Sequence, residues 1–196
     1  MVKQNLNKVF LSASIPSPER DKRFYDTADI IAIRDSVRAL ATVVIPKCNL
    51  VWGGHPSITP LIRCVIDKMG CNIKNHVTLY QSLFYENVFP EDNFAFENIV
   101  LTPKLETKTE SLSLLRVTML KDNDFKAGIF IGGMEGIDEE YKLFKEYNPE
   151  AIILPIASTG GASKILYEDG INKYNPRLNS DYAYMSMFKD LLKNLI

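Results

Sequence analysis

The chain has 196 residues, of which 46% are hydrophobic and 24% charged, the range of an ordinary globular protein and too apolar to stay disordered. Its 23 Lys and Arg against 24 Asp and Glu give a net charge of -1, which excludes both a strongly basic surface held to nucleic acid by phosphate contacts and a polybasic membrane-surface protein. Three Cys without a CxxC pair and two His without an HExxH point to no metal site, no disulfide framework and a reducing cytoplasm; neither a signal peptide nor an 18-residue apolar run is read.

Val9–Ser14 (VFLSAS) is a short apolar run before a Ser/Pro-rich loop and reads as the first strand. Ile30, Ile33, Val37, Leu40 and Val44 recur at helical spacing, which predicts an amphipathic helix over Asp29–Val44, stopped by Pro46. Leu50–Trp52 is a second strand, broken at Gly53-Gly54, and Ile58–Met69 a helix ended by Gly70. Val77–Gln81 is a third strand. The stretch that follows, to about residue 98, is an irregular excursion. Its Phe84, Tyr85, Phe89, Phe94 and Phe96, with Trp52, either pack under that loop or stack on a base. Ile99–Thr102 is a fourth strand, and Thr107 with Glu110 forms a capping box for a helix to about Lys121. Ala127–Ile131 is a fifth strand ending at Gly132-Gly133, Ile137–Tyr147 a helix, and Ala151–Ile156 a sixth strand. A turn at Thr159-Gly160-Gly161 follows, and Asp181–Ile196 reads as the last helix. Strand and helix alternating in this way predict an α/β fold: a Rossmann-like three-layer sandwich with a mainly parallel sheet of about six to seven strands.

Three glycine pairs follow predicted strands: Gly53-Gly54, Gly132-Gly133 and Gly160-Gly161. Ligands of open parallel sheets bind beyond the carboxyl ends of the strands, where glycine backbone and helix N-termini accept an anion. The pairs, together with Met134, Glu135, Gly136 and Thr159, therefore outline a candidate phosphate site, although glycine also serves plain turns. Ser12 and Ser14 end the first strand and His55 follows a glycine pair, so each either contacts the ligand or caps a turn. No GxGxxG follows the first strand and no P-loop occurs, so the usual dinucleotide and nucleotidase motifs are absent. On the helix with Ile137, Tyr141 and Phe144 inward, Glu140 lies about 60° from Ile137 and Glu139 about 160° away, toward solvent. Glu140 is then either a first-turn carboxylate favoured by the helix dipole or a group for a sugar hydroxyl or acid–base work. Arg116 lies about 40° from Leu112, beside the preceding helix's apolar stripe, and needs a partner: a structural ion pair, a ligand anion, or Glu140 across the cleft. The three cysteines read as small core side chains.

These segments together resemble the SLOG superfamily, which unites DprA/Smf DNA-processing domains with the Lonely guy enzymes. The resemblance runs from VFLSAS through LVWGGHPSITPLI and SLLRVTMLKDNDFKAGIFIGGMEGIDEEYKLF to PEAIILPIASTGGAS, so it implies one SLOG-like domain over residues 1–196. It is closest to SLOG domains of bacterial conflict and signalling systems; a related domain of the Thoeris antiphage system senses a cyclic ADP-ribose derivative. The Lonely guy signature PGGxGTxxE has counterparts here in Gly132, Gly133, Gly136 after one inserted residue, and Glu140, with Arg116 as the upstream Arg; Ile131 stands for the Pro and Ile137 for the Thr.

The resemblance implies a cytoplasmic sensor of a nucleotide or ADP-ribose-like ligand in a bacterial signalling or antiphage defence system. Such a sensor would work without metal or cofactor, as a homo-oligomer (dimer or tetramer) or through a separate effector protein. Its phosphate-binding groups would be the glycine turns, with Glu140 on a ribose hydroxyl and Arg116 on charge. The alternative is an N-glycosidic hydrolase releasing free base from a nucleotide, with Glu140 and Arg116 catalytic. The lost hydroxyl and the insertion weigh on hydrolysis more than on binding through backbone N–H groups. A DprA-like binder of single-stranded DNA is disfavoured by the balanced charge.

Overall fold

The structure, a computed structural model, describes residues 6–70 and 75–196. Six strands form a single sheet in the order β4-β3-β2-β1-β5-β6, and every pair is parallel. The strands are β1 (Lys8–Ser14), β2 (Asn49–Gly53), β3 (Val77–Ser82), β4 (Ile99–Thr102), β5 (Phe125–Gly132) and β6 (Ile152–Ile156). Pro155, which cannot donate to a ladder, sits in β6 because β6 is an edge strand.

The helices are α1 (Lys22–Tyr25), α2 (Ile30–Val44), α3 (Thr59–Met69), α4 (Lys108–Lys121), α5 (Glu135–Tyr147), α6 (Gly161–Asp169), α7 (Arg177–Ser180) and α8 (Tyr184–Leu191). Alternation along the strands divides the core into two layers. Val9 and Leu11 of β1 face the layer of α2, α3, α7 and α8, with Ile33, Val37, Leu40 and Phe188. Phe10, between them, faces the layer of α1, α4, α5 and α6, where it stacks on Phe144 at 5.5 Å. The three-layer sandwich is the predicted one, with six strands and no antiparallel pair among the described residues.

Local chemistry sets the ends of the elements. Asp29 caps α2 by accepting from the Ala32 N–H at 2.8 Å, and the Thr107–Glu110 capping box opens α4 as read. The excursion after β3 folds as two 3₁₀ turns, Leu83–Val88 and Glu91–Ala95. Phe96 leaves it to pack on Trp52 at 5.1 Å, whereas Phe94 stands out in solvent.

Three expectations are corrected. The segment after Gly160 is not only a turn but the helix α6, the last helix is shorter than Asp181–Ile196, and the Ser/Pro-rich loop holds the short α1. Asp181 explains the second, since its carboxylate accepts from the Ala183 N–H at 2.8 Å and pairs with Arg177, holding extended backbone ahead of Tyr184. Cys48 is buried as read and Cys64 half-buried, while Cys71 lies outside the described residues. Among the described residues, no helix is long and apolar enough to cross a membrane.

The strand order positions the site. The chain steps outward from β1 to β4, then α4 carries it back to β5 on β1's other side. The connections leaving β1 and β5 diverge there, and a crevice opens at the carboxyl end of β1.

Candidate functional site

A cleft of about 670 Å³ lies in that crevice, floored by the ends of β1, β2 and β3 and walled by α4, the start of α5 and the first 3₁₀ turn. Of the residues expected to bind, Ser12, Ser14, Gly53, Gly54, His55, Arg116, Met134, Glu135, Gly136 and Glu140 all line it.

Its centre is a chain of three side chains from three elements. Ser12 follows Leu11 on β1 and therefore faces α5 rather than α2. Ile137 and Phe144 bury one stripe of α5, which turns Glu140, three residues after Ile137, toward β1. The Ser12 hydroxyl donates to Glu140 Oε2 at 2.5 Å, and Arg116 Nε on α4 donates to Glu140 Oε1 at 3.4 Å. Glu140 and Arg116 are only 19% and 15% exposed, so their pairing is little screened. Glu139 faces solvent as expected, and Arg116 Nη1 also reaches its carboxylate. The guanidinium lies over Gly136, with Nη2 3.0 Å from where a Cβ would stand.

Burial pushes the Glu140 carboxyl above the usual carboxylate range, and it outweighs Arg116 and Ser12, which pull the other way. A group that holds its proton more tightly when folded stabilises the fold below its unfolded pKa and loses that contribution as pH rises through the raised value. Glu140→Gln removes this loss. Its melting temperature relative to the unsubstituted protein should therefore climb as pH rises from the acid range to neutrality; a gap that stayed flat would mean Ser12 and Arg116 cancel burial.

His55 is held neutral, its imidazole pushed down by burial. Nδ1 accepts from the Ser57 N–H at 3.2 Å, so the ring's proton sits on Nε2. His55 thus both caps a turn and offers the cleft a donor.

The glycine turns differ from expectation. The Gly132 N–H donates to Thr159 Oγ1 at 2.9 Å, the Gly133 N–H to the Ser14 carbonyl at 2.9 Å and the Gly54 N–H to the Tyr80 carbonyl at 2.8 Å. Gly161 N–H donates to Thr27 Oγ1 at 3.0 Å and Gly160 N–H to the Ala157 carbonyl at 2.9 Å. Every one of these donors is committed within the protein, so the turns are interlocked and not a phosphate cradle. Thr159, Gly160 and Gly161 do not reach the cleft: Thr159 is fully buried and donates to the Ile156 carbonyl at 2.6 Å. Gly132 and Gly133 also stand behind the lining, with Ile137 packed where a Gly133 side chain would go.

The start of α5 remains open. Met134 caps it with no side-chain hydrogen bond, so the N–H groups of Glu135 and Gly136, two residues of the cleft lining, have no intrahelical acceptor at the positive end of a 13-residue helix. Glu135 pairs with Arg20 at 3.2 Å beside them. The charged lining comprises Arg20, Lys108 and Arg116 against Glu135, Glu139 and Glu140, three of each sign. Such a balance suits a ligand of low charge better than a polyphosphate.

Gln81, Lys108, Val88 and Pro90 line the cleft without having been expected there, while Tyr85 and Phe89, two of the aromatics left between packing and base stacking, complete the apolar wall. For Gln81 a signal was available, since it ends a strand as Ser12 does. Among the described residues, no group of three His, Cys, Asp or Glu is placed to hold a metal ion.

The SLOG cluster3 family model matches residues 23–192, nearly the whole chain. The chain belongs to that family. This bears out the resemblance read from the strand-end glycines and the MEGIDEE segment. A crystal structure titled as TM1055, a Northeast Structural Genomics Consortium target, is similar with a TM-score of 0.52 at 15% identity, over 88% of this chain and 89% of that one. At that identity the likeness speaks for the Rossmann-like fold alone. None of the curated proteins matches the chain.

Proposed function

We propose that this member of the SLOG cluster3 family is a cytoplasmic sensor that binds a nucleotide or an ADP-ribose-like derivative across the ends of β1, β2 and β3. The observation that carries the reading is the Ser12–Glu140–Arg116 chain on the cleft floor, which sets an acceptor for a ribose hydroxyl beside a cation for phosphate. The apolar wall of Tyr85, Val88, Phe89 and Pro90 suits a base, and the open N–H groups of α5 suit one phosphate. Family membership supports a nucleotide-related function. Binding is favoured over turnover because both Glu140 oxygens already have partners and Ile137, buried under the turn, replaces a hydroxyl of the Lonely guy signature. The role in bacterial signalling or antiphage defence, and the output through a homo-oligomer or a separate effector, follow the resemblance.

A second reading, hydrolysis of the N-glycosidic bond, draws on the raised Glu140 carboxyl, which holds a proton further toward neutral pH than an exposed Glu does. One experiment separates the two. The protein is incubated with AMP, NAD and cyclic ADP-ribose isomers, melted, and the small molecules are chromatographed. A bound ligand at a hundred times its Kd should raise the melting temperature by about 5–10 °C and be recovered intact. Free base in the eluate would favour the hydrolase; no shift with any of them would sink the nucleotide reading.

A further inference from the structure

Gln81 stands next to last in β3, is 5% exposed and lines the cleft. Its backbone carbonyl accepts from Thr102 Oγ1, but its side-chain amide has no hydrogen-bond partner among the described residues. The amide atoms are not among those shut off from solvent, so they open only to the cleft, where an occupant can pair with them.

Gly54 accounts for how the amide is held. A Cβ on Gly54 would stand 2.0 Å from Gln81 Nε2 and 2.4 Å from Cδ. Its N–H is spent on the Tyr80 carbonyl and it has no positive φ, so neither an anion nor a left-handed turn calls for glycine there. What calls for it is room for the amide. The amide offers a donor and an acceptor side by side, and the cleft adds the apolar wall of Tyr85 and Phe89. A flat ring with an amino group next to a ring nitrogen matches both; Gln reads the adenine edge in this bidentate way.

We propose that Gln81, seated on Gly54, is the specificity-determining residue that reads the base of the bound ligand. The inference rests on the nucleotide reading above. It is tested by calorimetric titration of AMP, purine riboside 5′-monophosphate, which lacks only the amino group, and ribose 5-phosphate. These are titrated against the unsubstituted protein, Gln81→Met and Gly54→Ala. The unsubstituted protein should prefer AMP over its deaminated analogue by about 10-fold or more. Gln81→Met, alike in length but without the amide, should shrink that preference below about 3-fold while ribose 5-phosphate binds as before. Gly54→Ala displaces only the far end of a flexible side chain, so it should fold normally and lose the same preference. No preference at the outset, or a preference that survives Gln81→Met with AMP still bound, would overturn the assignment and leave the nucleotide reading standing. Failure of the unsubstituted protein to bind either AMP or ribose 5-phosphate would remove that reading, and the assignment with it.

Discussion

Gly160→Ala should destabilise the protein by about 4 kcal/mol, the sum of a glycine-only backbone conformation and a clash that cannot relax. Gly160 has φ 70° and ψ -158°, and a Cβ there would stand 1.8 Å from the Thr27 carbonyl oxygen, which belongs to backbone and not to a movable side chain. At about 2–4 °C per kcal/mol for a domain of this size, the melting temperature should fall by about 10 °C. The thermal shift produced by AMP, measured from the variant's own lowered melting point, should be unchanged. The measurement decides what the third glycine pair is for. If Gly160→Ala melted normally but lost the ligand shift, the turn would be a binding element after all, and the interlocked hydrogen bonds that tie it to Thr27, Gly132 and Gly133 would not be its purpose.

The fold was legible wherever the periodicity was long or the punctuation firm. The stripe from Ile30 to Val44, the capping box at Thr107 and the apolar runs of β1, β2 and β5 each imply one conformation by themselves. What escaped was short or held from a distance. Helix α6 begins on the second glycine of its pair and has only nine residues, so its buried side Ala162, Ser163, Leu166 and Tyr167, half of it small residues, makes a short and weak apolar stripe. The start of α8 depends on Asp181, whose partners are the Ala183 N–H and Arg177, a cation it shares with Asp190, an arrangement that appears only once the tail is folded.

The site divides along a similar line. Helical geometry alone turned Glu140 toward the sheet and set Arg116 beside its own apolar stripe, and the two meet at 3.4 Å. Ser12 was found because strand ends face the crevice. The use of the glycine N–H groups was not readable, because their acceptors lie far along the chain: Thr159 is 27 residues from Gly132, and Thr27 is 134 from Gly161. A glycine pair in sequence looks the same whether its donors face a phosphate or a threonine. Gly54 shows a third use, room for the Gln81 amide, which depends on the pairing of Gly53 with Tyr80 across β2 and β3.

Arg116→Met should lower AMP affinity about 100-fold, as truncating one member of a buried charge pair in a binding site does. It should also cost about 2 kcal/mol of stability, less than the 3–5 of a fully buried pair because both side chains keep some solvent contact. Without Arg116, the Glu140 carboxyl loses its main charge partner and moves still further up. Glu140→Gln alone should cost less than about 1 kcal/mol, since Arg116 keeps Glu139 and a neutral amide is easier to bury than a carboxylate. The double variant is the informative one. It leaves no uncompensated buried charge, so most of the stability lost in Arg116→Met should return. Affinity should not return, because neither the cation nor the carboxylate is there to meet the ligand. Denaturant unfolding and calorimetric titration of the four proteins read the two cycles separately. Stability rescued with affinity still lost would mean that Ser12, Glu140 and Arg116 are arranged for a ligand; rescue of both would make the chain a structural ion pair that happens to line a cleft.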